Sequence, residues 1–219
     1  MLCKLAVFDL DGTILNTLED LADSLNAALK ASGFPGRTLE EVRCFVGNGI
    51  RKLIERGVPA GASEEEIVRV HETFTAHYKV HCADKTRPYP GIETLLKDLR
   101  KAGCKTAVVS NKADYAVQEL CEQYFPGVFD AAVGERAGIL KKPAPDSVNE
   151  VLRRLNVTKE NAVYIGDSEV DIATARNAQM RSILVDWGFR DRSCLVEQGA
   201  ETIVSSPEEI EKLLIGPAR

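Results

Sequence analysis

Apolar positions along the chain follow two rhythms. Short runs rich in β-branched residues, at 4–9, 105–110, 131–133, 162–165, 181–186 and 202–204, predict strands. Between them the spacing lengthens to that of a helix. In "GIETLLKDLRKAG", Ile92, Leu95, Leu96 and Leu99 form one stripe that stops at a glycine. "ADYAVQELCEQYF", "PDSVNEVLRRLNV" and "DIATARNAQM" follow the same rule, and Ser206-Pro207-Glu208-Glu209 reads as a capping box opening a final helix. Strands alternating with helices over residues 85–219 predict βαβ crossovers, and so an α/β fold with a doubly wound parallel sheet covered on both faces.

Residues 16–84 break that rhythm. Four helical patterns follow one another there without a strand, beginning with Leu18, Leu21, Ala22, Leu25, Ala28 and Leu29 on one stripe. The second and third are "TLEEVRCFVG" and "IRKLIERG", and the fourth is capped by Ser63 with Glu66 three residues on. The organisation expected is an α/β core of residues 1–15 and 85–219, with an α-helical domain of residues 16–84 inserted after the first strand. "RPYPG" is the return linker, and the stretches near 14–17 and 84–90 are expected to hinge.

Composition narrows the function without choosing it. The chain has 219 residues, a net charge of −5 and 28% charged residues, which argues against a general nucleic-acid-binding surface. Six cysteines without a C-x-x-C pair, several within apolar stripes, suggest buried free thiols in a reducing compartment. The first residues lack a signal-peptide pattern and no apolar run is long enough to span a membrane, so the expected location is the cytoplasm.

The chemistry gathers at strand ends. In a doubly wound sheet, ligands bind at the carboxyl edge of the strands. The first strand ends on Asp9-Leu10-Asp11-Gly12-Thr13, with two carboxylates one residue apart that repel unless a positive group relieves them. Another ends on Ser110-Asn111-Lys112, a lysine pair at Lys141 and Lys142 precedes "PAPD", and "AVYIGD" ends on Asp167 with Asp171 four residues on. Hard carboxylate oxygens suit Mg²⁺, while lysine, hydroxyl and backbone N–H groups suit phosphate.

D-x-D-G-T after an apolar strand, S-N after the next, K-P-x-P-D and G-D-S-x-x-D resemble, in order, the four motifs of the haloacid dehalogenase-like hydrolase superfamily. Its phosphoglycolate phosphatase-like members with a small helical cap are the most similar. The resemblance extends over essentially the whole chain. It implies a Mg²⁺-dependent phosphatase of small phosphorylated metabolites acting through an aspartyl-phosphate. Asp9 would be the nucleophile and Asp11 the acid and base. Asp9, Asp167 and the main-chain carbonyl of Asp11 would hold the metal. Ser110, Asn111 and Lys142 would bind phosphate. Asp171 and Thr13 would stand behind them, Asp171 orienting the metal-binding loop or Lys142.

The substrate stays open between phosphoglycolate, pyrophosphate, a sugar phosphate and a nucleotide. A phosphosugar mutase and, outside enzymes, a phospho-accepting signalling module are the alternative functions. No partner beyond a small metabolite is expected, with neither nucleic acid nor membrane, and the chain is expected to be a monomer or homodimer. His71, His77 and His81 fall in one helix, and the i, i+4 pair is read as a helix face rather than a zinc site. Trp187 is expected to pack at the sheet edge, Gly47-Asn48-Gly49 to join two helices, and Arg51 to be a surface charge or a carboxylate contact.

Overall fold

The computed structural model describes residues 3–216. The strands are β1 (Leu5–Phe8), β2 (Leu15–Asn16), β3 (Arg87–Pro88), β4 (Lys105–Ala113), β5 (Ala131–Glu135), β6 (Ala162–Gly166), β7 (Arg181–Val185) and β8 (Ile203–Val204). The α-helices are α1 (Leu18–Ala31), α2 (Leu39–Phe45), α3 (Ile50–Gly57), α4 (Glu64–His81), α5 (Ile92–Lys101), α6 (Asp114–Tyr124), α7 (Asp146–Leu155), α8 (Glu169–Asn177), α9 (Arg192–Glu197) and α10 (Pro207–Ile215). The chain separates into two compact units, one running to Leu15 and resuming at Pro88, the other spanning Asn16–Arg87.

The first unit is built on a six-stranded sheet in the order β5-β4-β1-β6-β7-β8, every pairing parallel. Parallel strands need crossovers, and the helices of those crossovers cover the sheet. That is why β1, "LAVF", is apolar throughout: all four residues are fully buried. On one face Leu5, Val7, Ala107, Val109 and Tyr164 meet Val148, Val151, Leu152 and Leu155 of α7 and Ala175 of α8. The chain winds from β4 outward to β5, then returns past β1 to β6, β7 and β8. The order therefore reverses around β1, and a ligand crevice belongs at the carboxyl ends of β4, β1 and β6.

The second unit is helical. Leu21, Ala22, Leu25, Ala28 and Leu29 form the buried stripe of α1, which packs on α4 through Val70, Phe74 and Tyr78 on the latter. Thr38 with Glu41, and Ser63 with Glu66, close reciprocal capping boxes that start α2 and α4. The buried Asp20 carboxylate accepts from the backbone N–H groups of Lys85 and Thr86 and from the Thr86 hydroxyl.

Three local features differ from the expectations. The second core strand runs on to Ala113, irregular in register between Val109 and Ala113, so Asn111 and Lys112 join Ser110 within β4 rather than lying beyond it. The short strands β2 and β3 form a separate two-stranded sheet, too brief to leave a periodic signal. At α10, Ser206 makes no side-chain cap. Its hydroxyl pairs with Glu208 instead, while Glu209 accepts from the backbone N–H of Ser205. All six cysteines are free thiols. Among the described residues no helix is long and apolar enough to cross a membrane.

Candidate active site

The end of β1 sets the first carboxylate. Asp9 stays in register, its N–H donating to Ile165 at 2.8 Å, and its side chain is buried. Asp9 Oδ1 lies 2.8 Å from Lys142 Nζ, an ion-pair distance, yet accepts no aligned hydrogen bond. The chain then turns at Gly12, whose φ is +82°. A Cβ there would come within 2.3 Å of Asp167 Oδ2, so both the backbone angle and the space demand glycine. Gly188, just past the end of β7, leaves room for the same carboxylate.

Asp167, at the end of β6, is held by its neighbours. Oδ2 accepts from the N–H of Phe189 at 2.7 Å, and Oδ1 from the Thr13 hydroxyl at 3.4 Å. Trp187 steadies the same turn, its indole N–H donating to the Thr13 carbonyl. Asp171, in the first turn of α8, is fully buried and saturated. Oδ2 accepts from the N–H groups of Asp167 and Ser168 and from the Ser168 hydroxyl. Oδ1 accepts from Lys142 Nζ at 2.8 Å and the Tyr164 hydroxyl at 3.1 Å. Asp171 thus ties the Asp167 loop to Lys142.

Electrostatically the site has more negative charge than its lysines offset. Burial pushes the Asp9 carboxyl up to about 7 against the pull of Lys142, with Asp171 and Asp11 adding repulsion. Burial, then Asp171 and Asp9, hold Asp167 well above the usual carboxylate range. Burial alone would lower Lys142, but Asp171 and Asp9 outweigh it and keep the ammonium well above its ordinary value. The side-chain oxygens of Asp9, Asp167 and Asp171 lie within 4.8 Å of one another, the one such cluster of potential metal ligands among the described residues. A buried Asp9 oxygen without an aligned hydrogen bond, and the raised carboxyls of Asp9 and Asp167, are what a small divalent cation with oxygen ligands would relieve, so Mg²⁺ fits this donor set.

The end of β4 supplies the remaining polar groups. Ser110 is buried, and its hydroxyl accepts from the Lys112 N–H. Asn111 donates its amide to the backbone carbonyl of Lys142 at 3.0 Å, and so steadies the lysine segment. Lys112 Nζ lies 3.0 and 3.3 Å from the two oxygens of Asp11. The Asp11 carboxylate is absent from the acidic cluster.

The fold therefore brings Asp9, Asp11, Thr13, Ser110, Asn111, Lys142, Asp167 and Asp171 to one edge of one sheet. Two participants escaped the sequence reading. Lys112 was visible only as a residue after the Ser-Asn pair, and its alternation with Ser110 along an extended strand was the available signal. Tyr164 looked like another apolar core position. Other candidates lie elsewhere. Lys141 reaches Glu135 at 3.5 Å. His77 bonds Ser24, His81 bonds Asp84, and Arg51 pairs with Glu55 and Glu64, all within the helical unit.

Comparison with known proteins places the whole chain among its relatives. The family profile described as haloacid dehalogenase-like hydrolase matches residues 6–185. A phosphoglycolate phosphatase of Mesorhizobium japonicum is 35% identical over 190 residues, 85% of this chain and 84% of that one. One from Aquifex aeolicus is 32% identical over 212 residues, 96% of each chain. A crystal structure from Lactobacillus delbrueckii subsp. bulgaricus, provisionally named a phosphoglycolate phosphatase, superposes with a TM-score of 0.94. It is 42% identical and covers 99% of this chain and all of that one. The chain belongs to the haloacid dehalogenase-like hydrolases.

Proposed function

We propose that the protein is a Mg²⁺-dependent phosphatase that hydrolyses small phosphomonoesters through an aspartyl-phosphate, with 2-phosphoglycolate as its preferred substrate. The observation that carries this reading is Asp9: a buried carboxylate at a sheet switch point, one oxygen without an aligned hydrogen bond, beside Lys142 and within an acidic cluster. The phosphoglycolate phosphatases to which the chain is similar support the substrate class.

Asp9 would attack phosphorus, forming the Asp9 O–P bond as the ester O–P bond breaks. The departing alkoxide takes a proton from the Asp11 carboxyl. In the second half-reaction Asp11 takes a proton from water as that water attacks phosphorus, releasing inorganic phosphate and restoring Asp9. Ser110 and Lys142 hold the phosphoryl oxygens and offset the charge that develops on them. Asn111 acts through the Lys142 segment it supports. Asp171 keeps Lys142 and the Asp167 loop in place, and Thr13 braces Asp167. Held by Asp9, Asp167 and the Asp11 carbonyl, Mg²⁺ would supply the positive charge that lets an anionic ester approach a carboxylate nucleophile. In this reading the unit carrying β1 is the catalytic core and the helical unit is its cap domain.

The test is hydrolysis of p-nitrophenyl phosphate and of a panel of phosphorylated metabolites with Mg²⁺. Asp9→Asn is expected to abolish turnover while the circular dichroism spectrum is unchanged; retained turnover removes Asp9 from its role. Within the panel 2-phosphoglycolate is expected to show the highest kcat/KM. Another ester ranking above it replaces the substrate and leaves the phosphatase reading standing.

A further inference from the structure

Two carboxylates one residue apart have been given different work, and the chain itself must keep them apart. A flexible carboxylate next to a divalent cation ordinarily joins its ligand shell. The Asp11 side chain lies outside the cluster of Asp9, Asp167 and Asp171. Both of its oxygens instead face Lys112, at 3.0 and 3.3 Å.

Lys112 is an unusual lysine. Its side chain is 2% exposed, and the carboxylate it meets is 15% exposed. Burying an ammonium is costly unless it is paired, so a lysine inside a strand needs a reason to be there. Its backbone is fixed on both sides: the Lys112 N–H donates to Ser110 Oγ, and the next-but-one residue, Asp114, accepts from the N–H of Gly134 in β5 at 2.7 Å. Gly134 also presses against this segment so closely that a Cβ would lie 2.7 Å from the Lys112 carbonyl. The site thus holds two lysines with separate charges to answer: Lys142 faces Asp9 and Asp171, and Lys112 faces Asp11.

We propose that Lys112 is a positioning residue that holds the Asp11 carboxylate out of the metal-binding cluster and so reserves it for proton transfer at the leaving oxygen. The inference rests on the phosphatase reading, in which Asp11 is the acid and base. Lys112 touches neither phosphorus nor the metal in this role; it acts through Asp11.

The test is a double-mutant cycle with Lys112→Met and Asp11→Asn, read first by calorimetric titration with Mg²⁺ in the absence of substrate. Freed from Lys112, the Asp11 carboxylate is expected to join the cluster and tighten Mg²⁺ by roughly tenfold. In the Asp11→Asn background the same lysine change is expected to tighten it by less than half as much, the remainder being loss of a nearby charge. Equal tightening in both backgrounds overturns the proposal, because Lys112 then acts on the cation directly. Lys112→Arg, which returns a cation to the same strand position, is expected to restore at least half of the difference; no restoration counts against positioning.

Kinetics supply the second reading. An alkyl phosphate needs a proton on its leaving oxygen, whereas p-nitrophenolate leaves without one. Lys112→Met is expected to lower kcat/KM for 2-phosphoglycolate about a hundredfold and for p-nitrophenyl phosphate only a few-fold. Equal losses on both esters, with KM raised, make Lys112 a phosphate ligand and overturn the proposal. If Asp11→Asn itself fails to discriminate between the two esters, it is the acid–base role of Asp11 that falls. If Asp11→Asn discriminates and Lys112→Met does not, only the inference about Lys112 falls.

Discussion

Asp171 shows how much one carboxylate can organise. Five donors converge on it: Lys142, Tyr164, the Ser168 hydroxyl and two backbone N–H groups. Asp171→Asn keeps the volume but replaces one acceptor oxygen with an N–H₂ that must face donors on either side. The expected outcome is a fall in kcat of about 10- to 100-fold with the fold retained, measured by steady-state kinetics beside circular dichroism. An unchanged kcat would mean that Lys142 is placed without it. Asp9, Asp11 and Asp167 were legible in the sequence because each follows an apolar strand and a carboxylate at a strand end is conspicuous. Lys112 was not, since its partner lies 101 positions away and becomes its neighbour only once β1 and β4 pair. The K-P-x-P-D motif singles out Lys142, the lysine before the first proline; the structure adds the geometric contrast, Lys142 buried among carboxylates and Lys141 half-exposed on Glu135.

At the scale of elements, the core strands and the longer helices had an apolar stripe to announce them, whereas the polar ties between elements did not. Asp20 sits in the first turn of α1, where an acid reads as ordinary complement to the helix dipole. In the structure it is 2% exposed and binds the segment that follows α4 through Lys85 and Thr86. Asp20→Ala is expected to strip those N–H groups of their acceptor inside the protein and cost roughly 2–3 kcal/mol, seen as an earlier urea midpoint for the helical unit. A midpoint within error of the native protein would show that water replaces the carboxylate. The overlong β4 was misjudged for a related reason. Beyond Ser110 the chain is polar, and polarity suggests the end of a strand, but Asn111 and Lys112 are buried within β4. The expected box at Ser206 failed because its pattern of residue types is satisfied by bonds one position away.

For the molecule as a whole, the α/β class followed from strand–helix alternation over two thirds of the chain, and its interruption marked the helical stretch. Charge in the site ties stability to pH and metal. An unfolded aspartate has its carboxyl near 3.8, while Asp9 in the metal-free fold is pushed up to about 7 by burial. Between those values the native protein keeps a proton that the unfolded chain releases, so this group's contribution to stability falls as pH rises through the interval. In the proposed reading, Mg²⁺ would compete with that proton for the same carboxylate. The gain in Tm on exchanging EDTA for Mg²⁺ is therefore expected to be larger at about pH 8 than at about pH 5.5. A gain independent of pH, or none, would place the cation elsewhere. The proposed reaction is covalent, with phosphorus passing through Asp9. Acid-quenching the enzyme during turnover of 2-phosphoglycolate with Mg²⁺, followed by peptide mass spectrometry, tests it most directly. A single added phosphoryl group is expected on the peptide containing Asp9, and none in Asp9→Asn. A fully active enzyme that never carries phosphate on that peptide, under quench conditions where an aspartyl-phosphate survives, would contradict it.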